Sequence, residues 1–299
     1  MNMLEISGLQ KSFGDKEVLK GLDLCVPEGE IFGFIGKNGA GKTTTMKAVL
    51  GLLQIDGGSI SVFGERVTYG DNSTNCHIGY LPDVPNFYSF MMAGEYLSFC
   101  GEIVGMNEGQ IKSRSAELLE LVGLKDERHR IKGFSRGMKQ RLGIAAALLH
   151  EPKLLICDEP TSALDPIGRK EILDILFSAK ERTTVLFSTH ILSDVERICT
   201  RIAFLNDGKT AVQGSLADIK SRYRKEEYVF ETLKEEDALL LRGEFSCFSS
   251  LYNNRLVFTG SEEALFEVMG YLSKKRIPLL KLERIEPSLE SLFMEVVEK

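Results

Sequence analysis

The sequence predicts an α/β fold: a parallel sheet carrying a glycine-rich loop, a peripheral antiparallel β subdomain, an inserted helical subdomain and a small α+β C-terminal domain. Three observations predict it. Short, continuously apolar runs recur at residues 31–35, 154–157, 185–187 and 202–205, separated by helix-like stretches, which is the pattern of buried parallel strands. Strand signals vanish between about residues 84 and 150. Beyond residue 220 the composition shifts and a second, smaller alternation of strands and helices begins.

Ahead of the first apolar run, residues 4–7 and 17–26 read as strands of a peripheral sheet, each followed by turn residues. Residues 31–35 (IFGFI) form the first buried strand, and residues 44–50 are compatible with a helix behind the glycine-rich loop. In the helical insertion, Asn107 and Gln110 make a capping pair, and Ile111, Leu118 and Val122 recur at helical spacing. A helix over 138–149 closes the insertion. The runs 154–157, 185–187 and 202–205 then complete the parallel sheet.

The charged stretch 220–227 (KSRYRKEE) suits a linker or an exposed helix end. It divides the chain into a domain over 1–220 and a C-terminal accessory domain over 221–299. In the latter we read strands at 228–232, 245–248, 255–259 and 279–285, and helices at 235–241, at 262–275 and from Pro287 onward. The order βαββαβ resembles a split βαβ, or ferredoxin-like, unit. Leu289, Leu292, Phe293 and Val296 share one face of the closing helix.

Bulk properties narrow the function. A chain of 299 residues holds two folding units at roughly 100–200 residues per domain. Hydrophobic residues at 43% and charged residues at 27% supply enough apolar surface for a core, so disorder is not expected. The formal net charge of −6 disfavours nucleic acid as a partner, because phosphate-backbone affinity needs clustered Lys and Arg. Cys25, Cys76, Cys100, Cys157, Cys199 and Cys247 show no Cys-x-x-Cys or Cys/His spacing. That argues against a zinc site or a disulfide framework, and for reduced, mostly buried thiols of a cytosolic protein. The N-terminus lacks the features of a signal peptide, and no run approaches the roughly 20 apolar residues that cross a bilayer. Work on a membrane would need a partner.

Residues 36–43 (GKNGAGKT) fit G-x-x-x-x-G-K-[ST] between a strand and a helix. Glycines let the backbone curl so that successive N–H groups face phosphate oxygens, and the helix N-terminus adds its positive dipole end. Lys42 would reach the terminal phosphates and the Thr43 hydroxyl would ligate Mg²⁺. The apolar run 154–157 delivers Asp158 and Glu159 to a strand end, where ligands bind in open α/β sheets. There Asp158 suits a water-mediated Mg²⁺ contact and Glu159 suits the base that polarises the attacking water. The third run leads to His190.

In this order the pieces resemble the nucleotide-binding subunit of an ABC transporter, over residues 1 to about 221. The resemblance implies a phosphate-loop ATPase core of ABC type that binds ATP and Mg²⁺. Phe13 sits where the family stacks an aromatic ring on adenine, and Gly36, Asn38, Gly39, Ala40, Gly41, Lys42, Thr43 and Thr44 lie in its phosphate loop. Residues 134–138 match its signature segment, Asp158 and Glu159 its magnesium and catalytic strand, residues 162–165 its dimer-contact loop, and His190 its switch histidine. Lys42, Glu159 and His190 are therefore the expected catalytic residues, and Thr43, Asp158 and Asp83 the expected metal contacts.

Two such subunits, identical or different, would form a head-to-tail sandwich, with Ser135 and Gly137 of one roofing the ATP of the other. The implied partners are that second subunit and an integral-membrane permease, which holds the chain at the cytoplasmic face of the membrane. The form SRGMKQR and the tail EPSLESLF resemble ABC-2 type exporters of drugs, antimicrobial peptides or ions. Three positions depart from the family pattern: Asp83 replaces the usual glutamine, Arg136 the commonest glycine, and Met138 a common glutamine. A soluble ABC-type ATPase with a mechanical or regulatory role is the competing reading. Such relatives usually carry two nucleotide domains in one chain or long coiled-coil insertions, and the sequence shows neither. A third reading, a module that binds ATP only to dimerise, is disfavoured because every residue needed for hydrolysis is present.

Overall fold

The computed structural model describes residues 1–71, 73–223, 226–252, 254–286 and 288–297. They form two compact units, one of residues 1–217 with 296–297 and one of residues 218–295. The first begins with β1 (Asn2–Phe13) and β2 (Lys16–Pro27), paired antiparallel, whose Leu4, Ile6, Leu22 and Leu24 are buried. β3 (Ile31–Gly36) is buried at every position and leads through the glycine-rich loop into α1 (Lys42–Val49). The helix begins earlier than residue 44, because Lys42 and Thr43 already lie on its first turn. β4 (Gly57–Val62) and β5 (Glu65–Arg66) complete a four-stranded sheet in the order β2-β1-β4-β5. Sequence reading missed both. The two glycines opening β4 lower strand propensity, yet Gly58 is required there, since a Cβ would stand 2.5 Å from the Ser7 carbonyl oxygen.

A second sheet gains β6 (Ile78–Leu81), after which the chain enters the helical insertion: α2 (Ala93–Ile103), α3 (Glu108–Leu121) and α4 (Arg136–Leu148). The expected capping pair forms. Gln110 N donates to Asn107 Oδ1 at 2.9 Å, and Asn107 N donates to Gln110 Oε1 at 3.1 Å. α4 starts at Arg136 rather than 138, because the Ser135 hydroxyl caps it by accepting from Met138 N.

The chain returns through β7 (Leu154–Asp158), α5 (Pro166–Ala179), β8 (Thr184–Thr189), α6 (Leu192–Ile198), β9 (Arg201–Asn206), β10 (Lys209–Ser215) and α7 (Leu216–Arg222). The six strands order as β10-β9-β3-β8-β7-β6, parallel except for the β9–β10 hairpin.

One face of this sheet shares a core with the first sheet and α1, built on Phe32, Phe34, Met46, Ile156 and Leu186. Glycines on the other face let helices approach. A Cβ on Gly33 would lie 2.9 Å from Cys199 Sγ, beyond α6, and one on Gly79 would lie 2.1 Å from the Ala147 carbonyl oxygen of α4. Replacing Gly79 by Ala must therefore push α4 off β6. We expect a loss of about 1–3 kcal/mol, read as a lower denaturant midpoint at unchanged slope. Wild-type stability in that variant would show that α4 does not seat so closely.

The second unit contains β11 (Glu227–Thr232), α8 (Glu235–Glu244), β12 (Phe248–Tyr252), β13 (Arg255–Thr259), α9 (Glu262–Lys275), β14 (Leu279–Arg284) and, as far as Glu295, α10 (Leu289–Val297). Its antiparallel sheet orders as β12-β13-β11-β14, and Phe230, Phe258 and Leu256 pack on Ala238, Leu241, Val268 and Leu272. The strand expected at 245–248 begins only at Phe248. α8 runs on to Glu244, and the Phe245 ring turns into the core, 5.2 Å from Tyr271. The expectations for Pro287 and for the Val296 side chain, and part of the charged stretch 220–227, lie outside the described residues. Of the cysteines, Cys157 and Cys199 are buried, whereas Cys76 is exposed and the other three are intermediate, so the thiols are not mostly buried. Among the described residues no helix is long and apolar enough to cross a membrane.

Candidate active site

At the carboxyl ends of β3, β7 and β8 the first unit gathers its polar side chains. The loop between β3 and α1 needs glycine. Gly39 and Gly41 have φ of +82° and +111°, and a Cβ on Gly41 would lie 2.7 Å from Leu19 Cδ2. α1 has no side-chain cap and no acidic residue in its first turn. Its first N–H groups thus remain available to an anion.

Lys42 is only 6% exposed. Its ammonium donates to the Gly36 carbonyl at 2.7 Å and the Lys37 carbonyl at 3.2 Å, and lies 3.1 Å from Glu159 Oε1. Asp158, almost fully buried, accepts from two hydroxyls: Thr43 Oγ1 at Oδ2 and Ser188 Oγ at Oδ1, each at 2.6 Å. Ser188 Oγ in turn accepts from Glu159 N at 3.1 Å. The second carboxylate oxygen of Glu159 meets His190 Nδ1 at 2.9 Å. Glu159 itself has φ of +49°, a left-handed conformation that costs a non-glycine residue about 1–2 kcal/mol. Its backbone bonds to Ser188 hold it there and turn its carboxylate between an ammonium and an imidazole. Burial and the Asp158 carboxylate push the Tyr80 phenol on β6 up to about 12, so it stays neutral beside the site.

The donor set fits a nucleotide with a divalent ion. Thr43 and Asp158 converge as hard oxygen donors, an arrangement suited to Mg²⁺, which takes one or two protein oxygens and completes its shell with phosphate and water. A buried ammonium beside a glycine-lined curl suits polyphosphate.

The expected residues fall into two sets. Lys42, Thr43, Asp158, Glu159 and His190 share one bonded cluster. Asp83, Ser135, Gly137 and Phe13 stand outside its hydrogen bonds among the described residues. Two of the departures from the family pattern meet each other: Arg136 Nη2 lies 3.5 Å from Asp83 Oδ1, and Gln140 Nε2 donates to the Asp83 carbonyl at 2.8 Å. Phe13 is exposed at the end of β1, with the Lys11 ammonium 5.4 Å from its ring centroid. Sequence reasoning missed Ser188 as the bridge from Asp158 to the Glu159 backbone, and missed Asp194. Only their order near His190 could have drawn attention to them.

Known proteins resemble the chain along its whole length. Residues 19–162 match the ABC transporter family, and residues 214–297 match the C-terminal domain of ATP-binding proteins like DrrA1-3. The chain is 36% identical to the uncharacterized ABC transporter ATP-binding protein YxlF of Bacillus subtilis (strain 168), over 99% of each chain. It is 35% identical to the bacitracin transport ATP-binding protein BcrA of Bacillus licheniformis, covering 99% of this chain and 97% of that one. A dimeric structure of the ATP-binding cassette MJ0796, in a post-hydrolysis state bound to ADP and Pi, superposes with a TM-score of 0.64 at 25% identity. It covers 72% of this chain and 99% of that chain.

Proposed function

The chain belongs to the ATP-binding proteins of ABC transporters, and from that premise we propose that it hydrolyses ATP to drive export through a separate integral-membrane permease. The reading is carried by one observation: the Glu159 carboxylate is held between Lys42 and His190 at the mouth of the phosphate loop. Lys42 would bind the terminal phosphates, Thr43 and Asp158 would hold Mg²⁺, and Asp83, which meets Arg136 and Gln140 outside the cluster, would reach the ion only through water. Bound there, the ion neutralises charge on the phosphate oxygens. Glu159 accepts the proton of the attacking water while His190 orients its second oxygen. Phe13 stacks on the adenine, and Gly36, Asn38, Gly39, Ala40, Gly41 and Thr44 line the phosphates.

A second nucleotide-binding subunit, identical or related, completes the site. The N-terminus of α4, with Ser135 and Gly137, presents its positive dipole end to the partner's nucleotide. Similarity along its whole length to a bacitracin transport ATP-binding protein supports export of the ABC-2 type. Support for a permease comes also from a cleft of about 1120 Å³ between the helical insertion and the edge of the sheet. Ile78, Met106, Leu149 and the exposed Ile103 and Val104 line it together with Arg114, Glu117 and Glu151, a mixed surface that an amphipathic cytoplasmic segment of a permease would suit. With a permease bound there, the chain would lie at the cytoplasmic face of the membrane. Affinity capture from detergent-solubilised membranes tests the reading. The expected result is co-purification of a polytopic membrane protein together with Mg²⁺-dependent ATP hydrolysis. A chain recovered only free or with ribosomes would count against it.

A further inference from the structure

Among the described residues, two side-chain contacts, or rungs, join the loop between β7 and α5 to the segment after β8. The first is the contact of Glu159 with His190. A second lies further along both segments, where Thr161 Oγ1 donates to Asp194 Oδ2 at 2.7 Å. The other oxygen of Asp194 accepts from Arg169 Nη2 of α5 at 2.5 Å. Thr161 and Asp194 are 1% and 3% exposed. A carboxylate so deep in the protein requires a partner on each oxygen, and these two supply them. One side chain on α6 thereby fastens the loop after Glu159, the helix α5 and the segment that carries His190.

We propose that Asp194 is a positioning residue for hydrolysis: through Thr161 it sets the spacing at which Glu159 and His190 meet. Glu159 sits in a left-handed conformation two residues before Thr161 in the chain, and Ser162 N donates back to its carbonyl at 3.0 Å. A shift at Thr161 is transmitted directly to that turn. Leu164 N donates to the Thr161 carbonyl at 3.4 Å, so the loop 162–165, where the second subunit is expected to dock, is tied to the same rung. The charge on Asp194 touches no expected ligand. Its role is to hold the two segments that do.

This inference rests on the assignment of Glu159 and His190 to hydrolysis. The test is single-turnover ATP hydrolysis and nucleotide binding by the full-length chain. Thr161→Val keeps the side-chain shape and removes the donor. The expected hydrolysis rate falls about tenfold or more, with ATP affinity within about threefold of wild type. In a His190→Ala background the same substitution changes the rate by no more than about twofold, because the contact it serves is already gone. An equal loss in both backgrounds, or a wild-type rate in Thr161→Val alone, overturns the proposal. Asp194→Ala, which removes the acceptor of the Thr161 hydroxyl, provides the same comparison should Thr161→Val fail to fold. Glu159→Gln is measured alongside. If that variant keeps wild-type turnover, the hydrolysis assignment itself has failed, independently of the rung.

Discussion

Glu159→Gln is expected to reduce the turnover number for ATP by about 10²- to 10⁴-fold, the usual contribution of a positioned general base. Glutamine keeps the shape of the side chain and an acceptor for the His190 ring or the Lys42 ammonium. It cannot take a proton from water. Binding should survive, since the phosphate loop is untouched, so the loss belongs to kcat and not to KM. Nucleotide-bound dimers should then accumulate, visible by size-exclusion chromatography in Mg-ATP. Turnover within about threefold of wild type would falsify the assignment of Glu159 as the base.

Lys42→Ala is expected to act earlier, on binding. The ammonium is nearly buried, and its hydrogen-bond acceptors are backbone carbonyls of the loop itself. Losing one partner of a buried charge interaction costs about 2–5 kcal/mol, roughly 30- to 4000-fold in Kd. Calorimetric titration with ATP measures it directly. Affinity close to wild type would show that the loop binds through its backbone N–H groups alone. The variant also frees Glu159 from its 3.1 Å ion contact, so residual hydrolysis should fall with binding.

The local half of the site was legible because its signals are short-range. Glycine spacing, an apolar run before it and a helix after it are properties of a dozen consecutive residues. The structure places Lys42 and Thr43 on the first turn of α1. The Asn107–Gln110 cap was legible for the same reason. Reading failed where a local signal and a long-range contact disagreed. The glycines opening β4 look like a loop, yet Gly58 is needed for close approach to β1. The aromatic run around Phe245 looks like a strand, yet that ring finds its core partner from a helix end.

By itself the sequence determined the family motifs, their order along the chain and the chemistry each could supply, because residue type and spacing are written directly in it. Only the tertiary structure decided that Lys42 faces Glu159, that Asp83 meets Arg136, and that Thr161 and Asp194 form a second rung. These contacts join segments far apart in the chain. They exist only once the strands order as β3-β8-β7-β6 and helices seat on glycines of that sheet, which no local propensity specifies.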